Sequence, residues 1–214
     1  MRDPNNIFDV IIIGGGVVGL SIAYYLTQKR RKVLLIEKNK NVGLGNSNLN
    51  SSVVHAGIYY KKNSLKSKFS LEGRKLLKIF CKKNRIRYKE IGKLFISDSK
   101  NITNLKKIFR QGKINKLKNL KIINSAKLSK FEPKINSQFA LYSPSSSIFD
   151  VRKFISVLKK KSLSNNLIIR TNMLFLKRKS DKQLFVFKKN SKKNKKLLIF
   201  KSKYIVNCSG IERI

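Results

Sequence analysis

The 214-residue sequence contains no tryptophan, one histidine, two cysteines and three prolines. Cys81 and Cys208 lie far apart in the sequence, without CxxC spacing and without a histidine cluster. This scarcity argues against a disulfide framework and against a zinc site, because both need several cysteine or histidine side chains at short spacings. We therefore expect two reduced thiols in the core and no bound metal.

Long apolar runs are absent as well. No stretch approaches the roughly 20 apolar residues that a membrane-spanning helix needs. Residues 1–6 are polar and show no signal-peptide pattern. We expect a cytoplasmic protein, either free in solution or peripheral at the inner face of the membrane.

Acidic residues are scarce. Ten Asp and Glu stand against 50 Lys and Arg, which gives a formal net charge of +40 and on its own suggests a polyanionic partner. The basic residues are mostly lysine and are spread from end to end, whereas nucleic-acid-binding proteins concentrate Arg and aromatic side chains on one face. The densest run, residues 188–196, lies between two apolar segments and predicts a solvated hairpin tip. We interpret the charge as a drift in composition and do not expect a nucleic-acid partner.

The first organised segment opens with an apolar, β-branched run. Residues 8–13 are typical of a strand buried on both faces. Residues 17–26 have the apolar spacing of a helix packed on a sheet, and residues 33–37 form a second buried strand. Together they predict a βαβ unit of about 30 residues and hence an α/β fold with a parallel sheet.

Between the first strand and the helix lie glycines at GxGxxG spacing. Gly14 permits the tight turn, Gly16 lets the backbone approach a pyrophosphate, and Gly19 allows the helix to pack closely on the strand. The free amides and positive dipole end of the helix favour phosphate charge. Glu37, at the end of the second strand, is placed to accept hydrogen bonds from ribose hydroxyls and disfavours the extra phosphate of NADP. The segment predicts dinucleotide binding without distinguishing NAD from FAD.

The remainder of the chain predicts further helices and strands. Residues 39–52 form a long loop rich in Gly, Asn and Ser, which is typical of functional loops. Residues 65–84 have helical spacing, with Leu76 among the expected core contacts. A second helix is expected near residues 150–161, after a serine-rich loop. Expected strands cover residues 93–97, 139–142, 167–176, 183–187, 197–200 and 204–208.

Several sequence blocks resemble one known family. They are NSSVVHAGIYY at residues 50–60, SLK at 64–66, EGR at 72–74, GKL at 92–94, the segment 140–150, and VNCSG at 206–210. Together they resemble the L-2-hydroxyglutarate oxidase/dehydrogenase branch of the FAD-dependent D-amino-acid oxidase-like superfamily. The resemblance covers essentially the whole chain, and HAGIYY is fairly specific to this branch.

The resemblance implies FAD as the cofactor. Beyond the glycines and Glu37, it implies cofactor contacts from a second set of residues: Lys38, Asn50, Ser51, Ser52, Met173, Ser209 and Gly210. Ser52 departs from the family's pattern, because relatives have Asn-Ser-Gly where this chain has Asn-Ser-Ser. An added side chain there would crowd a flavin that approaches the backbone closely. For Met173, packing in the core is the alternative.

The resemblance further implies that an L-2-hydroxy acid, L-2-hydroxyglutarate, gives a hydride to the flavin and becomes the 2-oxo acid. His55 is the candidate catalytic base, because an ordinary imidazole accepts a proton near neutral pH; packing against the cofactor is the alternative. Tyr59 and Tyr60 are candidate substrate contacts through their phenol groups, with a place in the core as the alternative. The electron acceptor, quinone or oxygen, stays open.

The resemblance also implies a domain organisation. We expect a Rossmann-like FAD-binding domain over residues 1–84 and 146–214, and part of an α+β substrate domain over residues 85–145. Family members are longer, so we expect the C-terminal half of the fold to be absent and the chain to be too short for activity alone. A separate chain that supplies the missing half is one expected partner.

Three functions stay open at this point. The first is the N-terminal portion of an L-2-hydroxyglutarate oxidase-like enzyme. The second is another member of the superfamily, acting on an amino acid or glycerol phosphate. The third is a non-enzymatic basic protein that uses a remnant Rossmann unit to bind a nucleotide or RNA. Bleaching of the flavin absorbance by L-2-hydroxyglutarate would indicate the first function, and bleaching only by an amine or glycerol phosphate would indicate the second. A colourless protein with strongly salt-dependent RNA affinity would indicate the third.

Overall fold

The computed structural model describes residues 7–180, 183–188 and 197–210. The chain divides into two compact units. Unit 1 comprises residues 1–50 and 151–214, and unit 2 comprises residues 51–150. The polar residues 1–6 and all but the first residue of the expected hairpin tip lie outside the described residues.

The helices and strands follow in chain order. The first half of the chain contains β1 (Ile7–Ile13), α1 (Val17–Gln28), β2 (Val33–Ile36), β3 (Val53–Val54), α2 (Leu65–Lys83), β4 (Tyr88–Glu90) and β5 (Lys93–Ser97). The second half contains α3 (Ile102–Ile114), β6 (Lys121–Asn124), α4 (Ser125–Phe131), β7 (Phe139–Ser143), β8 (Ser147–Phe149), α5 (Val151–Leu163), β9 (Ile168–Arg170), β10 (Met173–Ser180), β11 (Gln183–Lys188) and β12 (Leu197–Asn207).

Unit 1 is built on a six-stranded sheet in the order β10-β11-β12-β1-β2-β9. Strands β12, β1, β2 and β9 are parallel, whereas β10, β11 and β12 form antiparallel pairs. The side chains of β1 and β2 are mostly buried, and Ile11, Ile12 and Leu34 have no exposed surface. Parallel strands are covered on both faces, which explains why these two appear in the sequence as aliphatic runs.

The register of the central strands determines where the candidate site lies. Ile13 of β1 pairs with Ile36 of β2 on one side and with Asn207 of β12 on the other. Because the three strands are parallel, they end at the same edge of the sheet. Gly14 and Glu37, which follow β1 and β2 directly, therefore leave the sheet side by side. Open α/β sheets bind ligands at this edge, outside the carboxyl ends of the strands.

Helix α1 lies close to the sheet because of Gly19. A methyl group at this position would collide with the carbonyl of Gly14. Leu20 and Ala23, on the same face of α1, are fully buried. The helix also packs against α5, whose Leu158 is buried. The role predicted for the third glycine of the motif is thus confirmed.

Two strand predictions were wrong in their boundaries. The single strand expected over residues 167–176 is two strands, because β9 pairs with β2 while β10 pairs with β11 at the opposite end of the sheet. Asn172, with a φ of 53°, turns the backbone between them. The strands expected over residues 197–200 and 204–208 are one strand, β12. Residues 201–203 are polar and suggested a break, yet pairing first with β11 and then with β1 keeps this backbone extended.

Unit 2 contains two three-stranded antiparallel sheets, β3-β8-β4 and β5-β7-β6. Strands β5 and β7 match the predicted ones, whereas β4 and β6 do not stand out in the sequence. Gly112 lets α3 approach the segment after β3, since a methyl group on it would lie 2.8 Å from Cγ1 of Ile58. The main core cluster of this unit contains six buried side chains: Ala56, Ile58, Leu105, Leu117, Leu120 and Leu141.

Helix α2 buries less apolar surface than its spacing predicts. Leu71 packs against the core cluster of unit 2, and Cys81 is fully buried. The prediction that Leu76 contacts the core was wrong, because this side chain is 67% exposed. It lies five residues from both Leu71 and Cys81, which corresponds to roughly 140° around a helix with about 3.6 residues per turn. That rotation carries it to another face.

The observed fold is the predicted α/β class with a parallel sheet. The predicted division into an FAD-binding domain and a substrate domain concerns function and stays a prediction. By their contacts, residues 51–84 belong with unit 2.

Candidate functional site

The glycine turn after β1 lies against the end of β12. Gly14 has a φ of +104°, which residues with a side chain rarely adopt. A methyl group on Gly14 would collide with the carbonyl of Cys208 and would lie 3.0 Å from the amide nitrogen of Ser209. The amide of Cys208 donates to the carbonyl of Ile13 over 2.7 Å. The structure thus brings the predicted residue Ser209 to the glycine turn, and the predicted residue Gly210 follows it in the chain.

Ser209 and Gly210 form a turn that Asn207 stabilises. Oδ1 of Asn207 accepts hydrogen bonds from the amide of Ser209 at 3.0 Å and from its hydroxyl at 2.8 Å. Gly210 has a φ of +80°, which again favours glycine. The end of β12 is therefore held in a defined turn.

The first turn of α1 faces a second loop. Gly16 caps the helix without a side-chain hydrogen bond. The amide of Val17 donates to the hydroxyl of Ser47 at 2.8 Å, and this hydroxyl would lie 3.0 Å from a methyl group on Gly16. The first amides of a helix have no acceptor within the helix and carry the positive end of its dipole. This place therefore suits a phosphate group.

The Glu37 carboxylate points back at the glycine turn. Its Oε2 accepts from the amide of Gly15 at 2.7 Å, and its Oε1 accepts from the amide of Asn39 at 2.8 Å. The residue is 7% exposed. A carboxylate offers about four lone-pair positions, so positions are left for outside donors such as ribose hydroxyls. The acid lies where the dinucleotide pattern requires it.

The loop after β2 is tied to the glycine turn. The amide of Gly43 donates to the carbonyl of Gly15 at 2.8 Å. Asn50, a predicted cofactor contact, donates from Nδ2 to the carbonyl of Ser47 at 2.8 Å. Asn50 thus fixes the segment that contains Ser47. Lys38, another predicted contact, is half-buried at the start of this loop.

Met173 is 4% exposed and packs in the core cluster of unit 1 beside Ile36. Its amide donates to the carbonyl of Glu37 at 3.0 Å. Its side chain therefore has the core position that was the alternative for this residue. Any contact of Met173 with a cofactor would come from its backbone.

The other predicted residues lie in unit 2. Ser51 is exposed, and Ser52 has a φ of +58°, a left-handed conformation at the position where the family pattern has glycine. The carbonyl of Ser52 accepts from the amide of Phe149 at 3.2 Å. His55 follows β3 and is exposed, and no group in the described ranges is hydrogen-bonded to its imidazole.

Tyr59 and Tyr60 form a pair in the turn after Gly57. Their ring centroids are 5.1 Å apart at 78°, and Tyr59 is 46% exposed. Nδ2 of Asn115 donates to the carbonyls of Gly57 and Tyr60, at 2.8 and 2.7 Å. Nε2 of Gln111 donates to the same Tyr60 carbonyl at 3.0 Å. Two amide side chains from α3 and its end therefore hold this turn.

Sequence reasoning missed three of these residues. Ser47 lies in a loop that its length and composition mark as functional, but no spacing rule selects this serine. Gln111 and Asn115 are four residues apart and so share one helix face. A polar pair beside apolar neighbours was the available signal.

Residues 7–180, 183–188 and 197–210 contain neither a candidate membrane span nor a candidate metal cluster. No helix there has an apolar stretch long enough to cross a bilayer. No three His, Cys, Asp or Glu side chains there are grouped closely enough to hold a metal ion. Burial raises the pKa of Cys81 to about 11 and also raises the pKa of Cys208, so both are thiols at neutral pH.

Residues 9–213 match the model of one protein family, described as FAD dependent oxidoreductase. The mitochondrial L-2-hydroxyglutarate dehydrogenase of Arabidopsis thaliana is 39% identical over 155 residues, which cover 72% of this chain and 32% of the relative. A glycerol 3-phosphate dehydrogenase of Caloramator mitchellensis is 30% identical over 209 residues, which cover 95% of this chain and 42% of the relative. The chain thus spans less than half the length of these curated relatives. They confirm the resemblance found in the sequence.

Solved structures share the fold. The dithionite-reduced L-alpha-glycerophosphate oxidase from Mycoplasma pneumoniae, with FAD bound, superposes with a TM-score of 0.81 at 26% identity, over 93% of this chain and 53% of that chain. Glycine oxidase from Geobacillus kaustophilus also has a TM-score of 0.81, at 18% identity, over 96% of this chain and 56% of that chain. The second likeness concerns the fold alone.

Replacing Ser52 by glycine should raise the free energy of unfolding by about 1 kcal/mol, because glycine adopts a positive φ without the steric cost of a Cβ atom. Urea unfolding followed by circular dichroism measures the change. Ser51→Gly is the matched control, since Ser51 is not among the residues with positive φ. Glycine at position 51 relieves no strain and raises only the conformational entropy of the unfolded chain. Ser51→Gly should therefore lower the free energy of unfolding by up to about 1 kcal/mol. If the Ser52→Gly protein is no more stable than the parent, the claim that the backbone is strained at Ser52 is contradicted.

Proposed function

The chain belongs to the FAD dependent oxidoreductase family, and we propose that it holds FAD at the carboxyl edge of the sheet in unit 1. One observation carries the proposal: the Glu37 carboxylate lies 2.7 Å from the amide of Gly15, beside the start of α1 at Gly16. The ribose hydroxyls would bind the carboxylate, and the diphosphate would bind the amides of the helix. An acid here disfavours the extra phosphate of NADP, and family membership favours FAD over NAD.

The other predicted cofactor residues of unit 1 have different roles in this proposal. Gly14 and Gly19 act by permitting close backbone contacts, and Met173 acts from its backbone. Asn50 acts on the loop that presents the Ser47 hydroxyl to the helix. Cys208 and Ser209 form the wall of the turn on the β12 side, and Gly210 follows them in the chain.

For the reaction, we propose oxidation of an L-2-hydroxy acid to the 2-oxo acid, with L-2-hydroxyglutarate as the substrate. The similarity to L-2-hydroxyglutarate dehydrogenases supports this choice. The second candidate is glycerol 3-phosphate, favoured by a similarity that extends over almost the whole chain. Both substrates are small anions with a secondary hydroxyl group.

This oxidation removes a hydride from the carbon that bears the hydroxyl group and a proton from the hydroxyl oxygen. Bound FAD would supply the acceptor of the hydride. We assign the proton to His55, because its imidazole is exposed and histidine is the side chain that most often serves as a general base. The hydroxyls of Tyr59 and Tyr60 would donate hydrogen bonds to a carboxylate of the substrate.

Gly16→Ala should weaken FAD binding while the fold is preserved. A methyl group on Gly16 meets only the hydroxyl of Ser47, at 3.0 Å, but it fills the space through which a diphosphate approaches the backbone. We expect the Kd for FAD, measured by flavin fluorescence, to rise about tenfold or more, the equivalent of roughly 1.4 kcal/mol. Gly45→Ala is the matched control, since a methyl group on Gly45 meets no atom within 4 Å. The same Kd in both variants would contradict this placement of the diphosphate.

Mixed with a separate chain that supplies the missing C-terminal half of the fold, the FAD-loaded chain should lose its visible absorbance when L-2-hydroxyglutarate is added in the absence of oxygen. His55→Ala should keep the flavin and slow the bleaching by about 10²–10⁴, the usual effect of losing a general base. Stopped-flow absorbance measures both rates. Bleaching by glycerol 3-phosphate alone would favour the second candidate. A near-normal rate in His55→Ala would refute the assignment of the base.

A further inference from the structure

Lys93, the first residue of β5, holds its ammonium group over an aromatic ring. Its Nζ lies 4.9 Å from the ring centroid of Phe95, and the residue is half-buried. Alternate residues of a strand share one face, so Lys93 and Phe95 lie on the same side of the sheet. The ring attracts the ammonium group without neutralising its charge.

The Phe95 ring also contacts Tyr59. The two centroids are 6.4 Å apart and the rings meet at 84°, while the ring of Tyr60 packs on Tyr59 from its neighbouring position. Burial raises the pKa of Tyr59, and electrostatic repulsion and a hydrogen bond with the neighbouring Tyr60 raise this pKa further. The phenol therefore keeps its proton at neutral pH and is a hydrogen-bond donor. The Phe95 ring thus contacts both the Lys93 ammonium group and the ring of Tyr59, which in turn packs on Tyr60.

Asn115 and Gln111 hold the backbone that carries these phenols. Asn115 is 6% exposed, and its hydrogen bonds to the carbonyls of Gly57 and Tyr60 cross 58 and 55 residues of sequence. A site whose backbone is fixed before binding loses less conformational freedom when a ligand arrives. The phenol pair is therefore preorganised.

No protein carboxylate balances the charge of Lys93 in the described part of the chain. Lys78, by contrast, contacts Oε1 of Glu90 at 2.7 Å. A half-buried ammonium group without a carboxylate partner suits an anionic ligand with acceptor oxygens. Carboxylates and phosphates both have such oxygens.

We propose that Lys93 binds the second carboxylate of the substrate, beyond the one that Tyr59 and Tyr60 bind, and so determines selectivity for dicarboxylic 2-hydroxy acids. This inference rests on the proposed function and adds to it the residue that distinguishes a dicarboxylic from a monocarboxylic substrate. A monocarboxylic acid of the same chain length would leave the Lys93 charge without a partner. Lys93 is thus a specificity-determining residue that the strand pattern alone did not reveal.

The test is the dissociation constant of glutarate, measured by titration calorimetry on the FAD-loaded chain. Glutarate has two carboxylates and no hydroxyl group, so its binding is independent of the oxidation. We expect Lys93→Met to weaken glutarate binding about tenfold or more, as for the loss of a hydrogen bond to a charged group. Butyrate, a monocarboxylate, should bind both proteins equally.

Two further variants control the experiment. Lys121→Met removes an exposed lysine from β6 of the same sheet and should leave the glutarate Kd unchanged. Lys93→Arg keeps the charge and should retain most of the affinity. Circular dichroism and flavin absorbance show that each variant is folded and loaded.

An equal glutarate Kd in the parent and in Lys93→Met would overturn the inference, as would a parent that does not bind glutarate. A loss of affinity for glycerol 3-phosphate without a loss for glutarate would assign the site to phosphate and overturn it too. If glutarate binding depends on Lys93 but L-2-hydroxyglutarate does not bleach the flavin, the inference stands and the proposed oxidation fails.

Discussion

The hydrogen bond from the Gly15 amide to the Glu37 carboxylate is the interaction on which the candidate cofactor site depends. It joins the residues that follow two neighbouring parallel strands, so the glycine turn and the acid keep a fixed separation. Burying a carboxylate is costly unless hydrogen bonds replace its water. The amides of Gly15 and Asn39 supply two such bonds. The proposed cofactor site therefore links cofactor affinity to local stability at this acid.

The large positive charge has a smaller structural role than its size suggests. Ten acidic residues cannot pair with 50 basic ones, and several of the acids serve the local backbone. Asp9, for example, accepts a hydrogen bond from the amide of Lys32 at 2.9 Å, and this hydrogen bond lowers the pKa of the Asp9 carboxyl. An unpaired lysine is consequently ordinary in this protein. What distinguishes Lys93 is its place over Phe95, beside a phenol pair that two side-chain amides hold.

The segment from β1 to β2 could be predicted from the sequence because its determinants are local: two aliphatic strands, glycines at fixed spacing and an acid at a strand end. Other features depend on distant contacts. The Ser47 hydroxyl accepts a hydrogen bond from the Val17 amide, 30 residues away in the sequence. Nδ2 of Asn115 donates to the Gly57 carbonyl, 58 residues away. β12 is one strand only because two partners pair with it. Local patterns do not contain this information, which is why unit 2 was predicted less completely than unit 1.

Competition between ADP and FAD is the most direct measurement of the central claim, which places the adenosine diphosphate half of the cofactor between the start of α1 and Glu37. ADP has this half without the flavin, and FMN has the flavin without it. We expect ADP to displace FAD from the chain in a flavin fluorescence titration, with FMN ineffective at the same concentration. Displacement by FMN and not by ADP would contradict the placement of the cofactor on the glycine turn.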